Sequence, residues 1–213
     1  MINKEISKLL YGLDNVWENF SPNENKIDHQ GWNGAHSALS YLNPSFGAQV
    51  IIDLGVWKGQ STITLARLLK ENKIPGVVIS VDTFLGSVEH QDMGLYSRDP
   101  GGRPDIYDRF LNNIWSFGLQ DYVIPFAQTT TTALQIFKSK KIIPTFIHVD
   151  ASHEYEDVKK DVFNYYQFMP KGAVMVCDDY IPGWPGVVKA VDELIHAENL
   201  SIINIPPKCI IKK

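Results

Sequence analysis

The chain has 213 residues, 44% of them hydrophobic and 21% charged, which is an ordinary composition for a soluble globular protein. Its formal net charge of −4 gives no bulk attraction to nucleic acid or to an anionic membrane surface. The two cysteines form neither a disulfide framework nor a CxxC metal motif, and because the sequence lacks a signal peptide and an apolar run of about 18 residues, we expect a cytoplasmic protein.

The first 45 residues are predicted to form a cap of helix and loop on a single domain that spans residues 1–213. Apolar residues recur at helical spacing between residues 2 and 20, and residues 21–45 are rich in turn formers. Trp32 and His36 are candidates for closing over a ligand. Residues 46–213 are predicted to form the core.

In the core, short apolar runs rich in β-branched residues alternate with helical patterns. The runs are QVIIDL (49–54), GVVISVD (76–82), YVIPFA (122–127), TFIHVD (145–150) and AVMVCDD (173–179). The helical patterns lie at 60–72, 104–118, 130–139, 153–169 and 185–197. Continuously apolar strands predict a parallel sheet with helices on both faces. Two final runs, LSIINIP and KCIIKK, predict an antiparallel hairpin, which completes a seven-stranded, doubly wound Rossmann-like α/β fold.

Polar residues stand at or just beyond the end of each predicted core strand. They are Asp53, Asp82, Gln128, Asp150 and the pair Asp178 and Asp179. A helix cap or a turn explains any single aspartate. In a doubly wound fold, however, ligands bind outside the carboxyl ends of the strands. Five polar strand ends at one edge therefore predict a binding site.

The loop after the first strand, in VIIDLGVWKGQST, excludes two classes of nucleotide site. Gly55 and Gly59 permit a tight turn and a close approach of the backbone to a ligand. Trp57 stands where a dinucleotide fingerprint needs a glycine to admit the pyrophosphate, which argues against NAD and NADP. Lys58 precedes Gly59 instead of following it, so a P-loop is excluded. A nucleoside without phosphates fits, and Asp82 lies about where an acidic residue binds ribose hydroxyls.

Three carboxylates are predicted to meet at the ends of the fourth and fifth strands. Asp150 ends one strand, Asp178 and Asp179 end the other, and neighbouring strands lie about 4.8 Å apart. Such a cluster is unfavourable unless it binds a cation or takes up protons, and oxygen donors favour Mg²⁺ over zinc. His153 is a candidate base, because imidazole titrates near neutral pH. The structural alternatives are a helix cap, with Ser152 the favoured residue, and a turn at the second pair.

Four sequence blocks in this order resemble the class I S-adenosylmethionine-dependent methyltransferases. They are D-x-G-x-x-x-G-x-S-T after the first strand, VDTFLGS after the second, IHVDASHEYEDVKKDV at the fourth and GAVMVCDDY at the fifth. More narrowly, the blocks resemble the macrocin and mycinamicin sugar O-methyltransferase group, which includes cephalosporin hydroxylase-like proteins. The resemblance covers roughly residues 45–195.

The resemblance implies S-adenosylmethionine as the cofactor and assigns residues to its parts. The methionine part is expected near Asp53, Gly55 and Gly59, the ribose on Asp82, and the adenine near Gln128 and Thr129. The other predicted cofactor contacts are Ser61, Thr83 and Asp150.

The resemblance also implies a second cofactor and a class of acceptor. In the family, the positions that match Asp150, Asp178 and Asp179 bind Mg²⁺ or a similar divalent cation, and His153 falls where related enzymes keep a general base. The expected acceptor is a small molecule with a hydroxyl group, such as a sugar or a glycosylated metabolite. A homodimer is compatible with this interpretation, and nucleic acid and membrane partners are not expected.

A long, polar, glycine-rich segment at residues 85–110 has two alternatives: it covers the acceptor, with His90, Tyr96 and Arg103 as candidate contacts, or it is partly disordered. Two other functions remain open. One is a methyltransferase-fold binding protein without methyl transfer, and the other is a metal-dependent hydrolase that uses the three aspartates. A hydroxylase is less consistent with the sequence, because the two-histidine, one-carboxylate iron triad is not evident.

Overall fold

A computed structural model describes residues 2–213 of the chain, apart from the side chains of residues 88 and 89. Within these residues the strands are β1 (Gln49–Leu54), β2 (Gly76–Asp82), β3 (Val123–Ala127), β4 (Phe146–Val149), β5 (Val174–Cys177), β6 (Ile202–Ile205) and β7 (Lys208–Lys212). The helices are α1 (Ile2–Tyr11), α2 (Gln60–Glu71), α3 (Val88–Asp92), α4 (Ile106–Ser116), α5 (Thr130–Lys140), α6 (Tyr155–Phe168) and α7 (Pro185–Ala197). None of the described helices is long and apolar enough to cross a membrane.

The strands form one sheet in the order β3-β2-β1-β4-β5-β7-β6. Strands β1 to β5 pair in parallel, whereas β7 is antiparallel to both β5 and β6. The predicted fold, with its C-terminal antiparallel hairpin, is therefore confirmed. The strand order reverses between β1 and β4, and in such sheets the ligand crevice lies outside the carboxyl ends of the strands at that point.

Helices cover both faces of the sheet because its central strands are apolar on both sides. Consecutive residues of a strand point to opposite faces, so Ile51 packs into one layer and Ile52 into the other. Helices α1, α5, α6 and α7 cover the Ile52 face, and α2 and α4 cover the Ile51 face. Both isoleucines are fully buried, which makes the sheet a rigid support for the loops at its edge.

The N-terminal helix is shorter than the apolar spacing predicts. Helix α1 ends at Tyr11, and Gly12 follows with a φ of 72°, a left-handed conformation that does not continue a helix. Trp17 nevertheless lies in the core, where its indole N–H donates to the carbonyl of Val123 at 2.8 Å. Trp17 therefore packs on the sheet from a non-helical segment, whereas Leu13 is exposed.

Candidate active site

The ends of the central strands lie side by side, and backbone hydrogen bonds continue the ladder one residue past each strand. The N–H of Gly55 donates to Val81 at 2.9 Å, and the N–H of Asp150 donates to Leu54 at 2.9 Å. The N–H of Asp178 donates to Val149 at 3.0 Å. The structure thus brings the first loop together with the aspartates that end β4 and β5.

The first loop, residues 55–59, packs directly against the end of β4. Gly55 has a φ of 78°, and a Cβ added to it would lie 1.9 Å from the carbonyl oxygen of Asp150. Gly59 has a φ of 94°, and a Cβ there would lie 2.9 Å from the ring of Phe110. Both positions therefore need glycine, and the loop backbone is held against the strand ends where a ligand would lie.

A Gly55→Ala substitution is expected to destabilise the fold by at least about 3 kcal/mol, because the new methyl group meets backbone that cannot move aside. Urea unfolding followed by circular dichroism measures this change. Gly12→Ala is the matched control: its φ is 72°, and among the described residues beyond its two chain neighbours no atom lies within 4 Å of the added Cβ. That control should lose only about 1 to 2 kcal/mol from the left-handed backbone. Equal losses in the two variants would contradict the packing described for Gly55.

Asp82 connects the first loop to the loop that follows β2. Its carboxylate accepts hydrogen bonds from the backbone N–H groups of Trp57 at 3.0 Å and Phe84 at 2.7 Å. Burial raises the pKa of Asp82, and these N–H groups oppose the shift. Each carboxylate oxygen has a second lone pair, so the partly exposed side chain can still accept hydrogen bonds from a ligand.

The other residues predicted to line the cofactor flank Asp82 at the open edge. Thr83 and Thr129 are exposed, and Gln128 is half-buried with its backbone N–H bonded to the carbonyl of Asp82 at 3.0 Å. The side chain of Thr129 also accepts a hydrogen bond from the N–H of Thr132 and thereby caps α5. These residues form an accessible strip along the carboxyl ends of β2 and β3.

Asp53 and Ser61 support the first loop from below. Asp53 is fully buried, and its carboxylate accepts hydrogen bonds from the hydroxyls of Ser61 at 2.9 Å and Thr62 at 2.6 Å. On its other side, the carboxylate lies 2.8 Å from Nδ1 of His148. Asp53 thus ties the start of α2 to strand β4.

His148 and Lys208 are two buried residues of the site that the sequence analysis missed. Both side chains are fully buried, and Nζ of Lys208 lies 3.2 Å from Nε2 of His148. The Lys208 ammonium also forms an ion pair with the carboxylate of Asp178. Burial lowers the pKa of Lys208 to about 8, and the charges of Asp150 and Asp53 oppose this shift. The sequence does contain a signal for both residues, because each is a charged or titratable residue inside an otherwise apolar strand pattern.

Asp150 lies between two groups of potential ligands. On the inner side, its carboxylate and the side chains of His148 and Asp178 have ligand atoms within 4.8 Å of one another. On the outer side, Asp150 forms a second such group with His153 and Asp179. Burial raises the pKa of Asp150 to about 7, whereas the neighbouring His148 and Lys208 lower it.

His153 lies on the outer side, between a carboxylate and an aromatic ring. Its Nε2 is 2.9 Å from an oxygen of Asp179, and its ring stacks on Trp184 with centroids 4.1 Å apart. Helix α6 begins two residues later at Tyr155, and Ser152 accepts a hydrogen bond from the N–H of Glu154 just before it. His153 thus faces Asp179.

The outer group fits a divalent cation by its donor set, because two partly exposed carboxylates and an imidazole are ordinary ligands for such ions. Asp178 differs from Asp150 and Asp179, since its carboxylate is directed to the Lys208 ammonium and to the N–H of Asp179. The three predicted metal ligands therefore lie close together but do not all face the same point.

Two distant segments meet over the first loop. The ring of His90 stacks on Trp57, with centroids 3.9 Å apart, and on Trp32 at 5.4 Å. The buried ammonium of Lys58 bonds to the carboxylate of Asp28 and the carbonyl of Leu95, each at 2.6 Å. The predicted covering segments, residues 27–36 and 85–110, are therefore joined to each other and to the first loop.

The other predicted contacts in these segments have separate positions. Tyr96 lines a polar cavity of about 350 Å³ beside Lys58, together with Asp28 and Arg109. His36 caps a short turn by accepting a hydrogen bond from the N–H of Ala38. The exposed Arg103 pairs with Asp99 and Asp108.

Residues 52–180 match the family model of a methyltransferase domain, which is more than half of the chain. The chain belongs to this methyltransferase family, and the predicted class I, S-adenosylmethionine-dependent methyltransferase is confirmed. No curated protein matches the chain in sequence.

Solved O-methyltransferases share the fold of the chain. The O-methyltransferase NovP aligns with a TM-score of 0.61 and 19% identity, over 85% of this chain and 78% of its own. CalS11, a calicheamicin methyltransferase, aligns with a TM-score of 0.58 and 15% identity, over 84% of this chain and 76% of its own. An O-methyltransferase from Bacillus cereus in complex with SAH aligns with a TM-score of 0.59 and 19% identity, over 93% of this chain and 95% of its own. At these identities the likeness establishes the fold.

Proposed function

We propose that the protein is an S-adenosylmethionine-dependent O-methyltransferase that acts on a hydroxyl group of a small molecule, with sugars and glycosylated metabolites as the acceptor class. The observation that carries the proposal is the position of the His153–Asp179 pair beside the strand ends that hold Gly55 and Asp82. The acceptor class is supported by the solved relatives, since NovP is described as an O-methyltransferase and CalS11 as a TDP-rhamnose 3'-O-methyltransferase.

The cofactor would lie along the carboxyl ends of β1, β2 and β3. Asp82 would accept hydrogen bonds from the ribose hydroxyls, and the exposed strip at Gln128 and Thr129 would receive the adenine. Gly55 and Gly59 would bring the loop backbone to the methionine part, while Asp53 and Ser61 hold that loop from below. The bound cofactor supplies a sulfonium methyl group, which is already reactive toward an oxygen nucleophile.

His153 would act as the general base. A hydroxyl is a poor nucleophile until its proton is removed, and imidazole accepts a proton near neutral pH. The contacts of the His153 ring with Asp179 and Trp184 fix its direction, so the ring can face the acceptor oxygen. As the oxygen–methyl bond forms and the methyl–sulfur bond breaks, the acceptor proton passes to His153 and then to solvent.

Asp150 and Asp179 would hold a divalent cation such as Mg²⁺, whereas Asp178, the third predicted ligand, is paired with Lys208. When bound, such an ion lowers the pKa of a coordinated hydroxyl and fixes its orientation. Asp179 would then contact both the ion and His153, since its carboxylate lies in the same outer group as Asp150.

A methyl-transfer assay tests the proposed function. Purified protein is incubated with S-adenosylmethionine and a panel of polyhydroxylated acceptors, with added Mg²⁺ or with a chelator, and S-adenosylhomocysteine and methylated product are quantified. We expect equal amounts of S-adenosylhomocysteine and O-methylated acceptor, and a rate at least about tenfold lower in chelator. Methyl transfer to nitrogen or carbon alone would contradict the proposed O-methyltransferase activity. An unchanged rate in chelator would contradict the proposed dependence on a divalent cation.

A further inference from the structure

A fully buried lysine occupies the inner side of the proposed metal site. Lys208 is the first residue of β7, and its side chain reaches under the strand ends to the carboxylate of Asp178. A lysine is rarely buried completely, because removing an ammonium from water is costly unless a charged partner compensates. The partner that compensates Lys208 is the carboxylate of Asp178.

His148 joins Asp53 to Lys208 beneath the strand ends. Nδ1 of His148 lies 2.8 Å from the buried carboxylate of Asp53. Its Nε2 lies 3.2 Å from Nζ of Lys208. The Lys208 ammonium is paired directly with the carboxylate of Asp178, so Lys208 contacts both His148 and a predicted metal ligand.

The backbone on both sides of the ion pair holds Lys208 in place. Strand β7 pairs with β5 so that Cys209 faces Cys177, which places Lys208 next to the end of β5 where Asp178 follows. The N–H of Tyr180 donates to the carbonyl of Pro207 at 2.7 Å, which joins the loop after Asp179 to the residue before the lysine. An ion at Asp178 would therefore have to displace an ammonium whose backbone is fixed.

We propose that Lys208 is a built-in cation that competes with the divalent metal for Asp178 and so lowers the metal affinity of the site. Lys208 balances the charge of Asp178, while Asp150 and Asp179 on the outer side depend on the divalent ion. The inference rests on the metal site of the proposed function. Lys208 is a positioning residue in this account, because it contacts a ligand carboxylate and not the acceptor.

Mn²⁺ binding tests the proposal without the methyl-transfer reaction. Free Mn²⁺ is measured by electron paramagnetic resonance in titrations of the whole chain, with no S-adenosylmethionine and no acceptor present. Lys208→Met should bind Mn²⁺ about tenfold or more tightly than wild type, because an additional carboxylate becomes available to the ion. Mn²⁺ should also raise the melting temperature of this variant more than that of wild type. Lys208→Arg keeps the charge and should remain close to wild type.

Two further variants control for charge and for folding. Lys212→Met removes an exposed positive charge from the same strand and should bind Mn²⁺ as wild type does. The double variant Asp178→Asn, Lys208→Met removes the buried charges together, so it is expected to fold even if the single variant does not. Its Mn²⁺ affinity should match wild type, because both the competing cation and its carboxylate are gone.

Two results would overturn the proposal. One is a folded Lys208→Met protein with wild-type or weaker Mn²⁺ affinity, and the other is a folded double variant that no longer binds Mn²⁺, since Asp178 would then be a ligand in the wild type. A wild-type protein that binds Mn²⁺ as expected but transfers no methyl group would contradict the proposed function and leave the role of Lys208 intact.

Discussion

An Asp82→Ala variant is expected to bind S-adenosylmethionine roughly 10- to 100-fold more weakly than wild type, which is the range for hydrogen bonds to a charged group. Two losses contribute to this effect. The ribose hydroxyls would lose their acceptor, and the backbone N–H of Trp57, now 3.0 Å from the carboxylate, would lose the contact that fixes the first loop. Isothermal titration calorimetry of both proteins measures the difference.

Asp121→Ala is the matched control for this experiment, because Asp121 is an exposed aspartate before β3 and away from the strand ends at the carboxyl edge. It should bind the cofactor as wild type does. The affinity of Asp82→Asn for S-adenosylmethionine should lie between those of wild type and Asp82→Ala, since the amide keeps one oxygen that can accept a hydrogen bond. A folded Asp82→Ala protein with wild-type affinity would refute the assignment of Asp82 to the cofactor.

A His153→Gln variant is expected to lower kcat by about 10²- to 10⁴-fold, which is the usual contribution of a general base. Its affinity for S-adenosylmethionine should stay close to wild type, because the imidazole faces Asp179 and Trp184 and not the ribose site at Asp82. Single-turnover kinetics with a validated acceptor, combined with calorimetry of the cofactor, separate the two effects.

His196→Gln provides the control for the loss of an imidazole, since His196 is exposed near the end of α7. This variant should keep the wild-type kcat. An unchanged kcat in His153→Gln would show that another group removes the proton. An equal loss of cofactor affinity and kcat would show that His153 acts in binding.

Local sequence patterns were sufficient to predict the sheet and helices α2, α4, α5, α6 and α7. The five core strands and these five helices begin and end within two residues of their predicted bounds. Continuous runs of apolar β-branched residues are typical of parallel strands that are buried on both faces. Glycines and prolines mark the turns between these strands. The meeting of the polar strand ends follows from the parallel order alone.

The directions of the side chains at β5 could not be predicted, because they depend on one backbone conformation and one distant residue. Asp179 has a φ of 55°, a left-handed conformation that is uncommon outside glycine. Its carboxylate lies by His153, whereas that of Asp178 lies by Lys208, 30 residues further along the chain. A sequence of two adjacent aspartates does not reveal that they serve different partners.

The N-terminal segment was predicted less well for a related reason. Its apolar spacing suggested one helix, but Trp17 reaches the core from a turn and bonds to Val123 in β3, 106 residues away. Tertiary packing thus determines its conformation more than local propensity does. The same holds for the stacking of Trp32 on His90, which joins two segments far apart in sequence.

A calorimetric titration of S-adenosylmethionine into metal-stripped wild-type protein tests the central claim most directly. The contacts assigned to the cofactor involve Gly55, Asp82 and the strip at Gln128 and Thr129, and none of them requires a metal ion. We therefore predict saturable binding of one molecule per chain in the absence of divalent cations. No binding to the folded wild-type protein would contradict the assignment of these strand ends to S-adenosylmethionine.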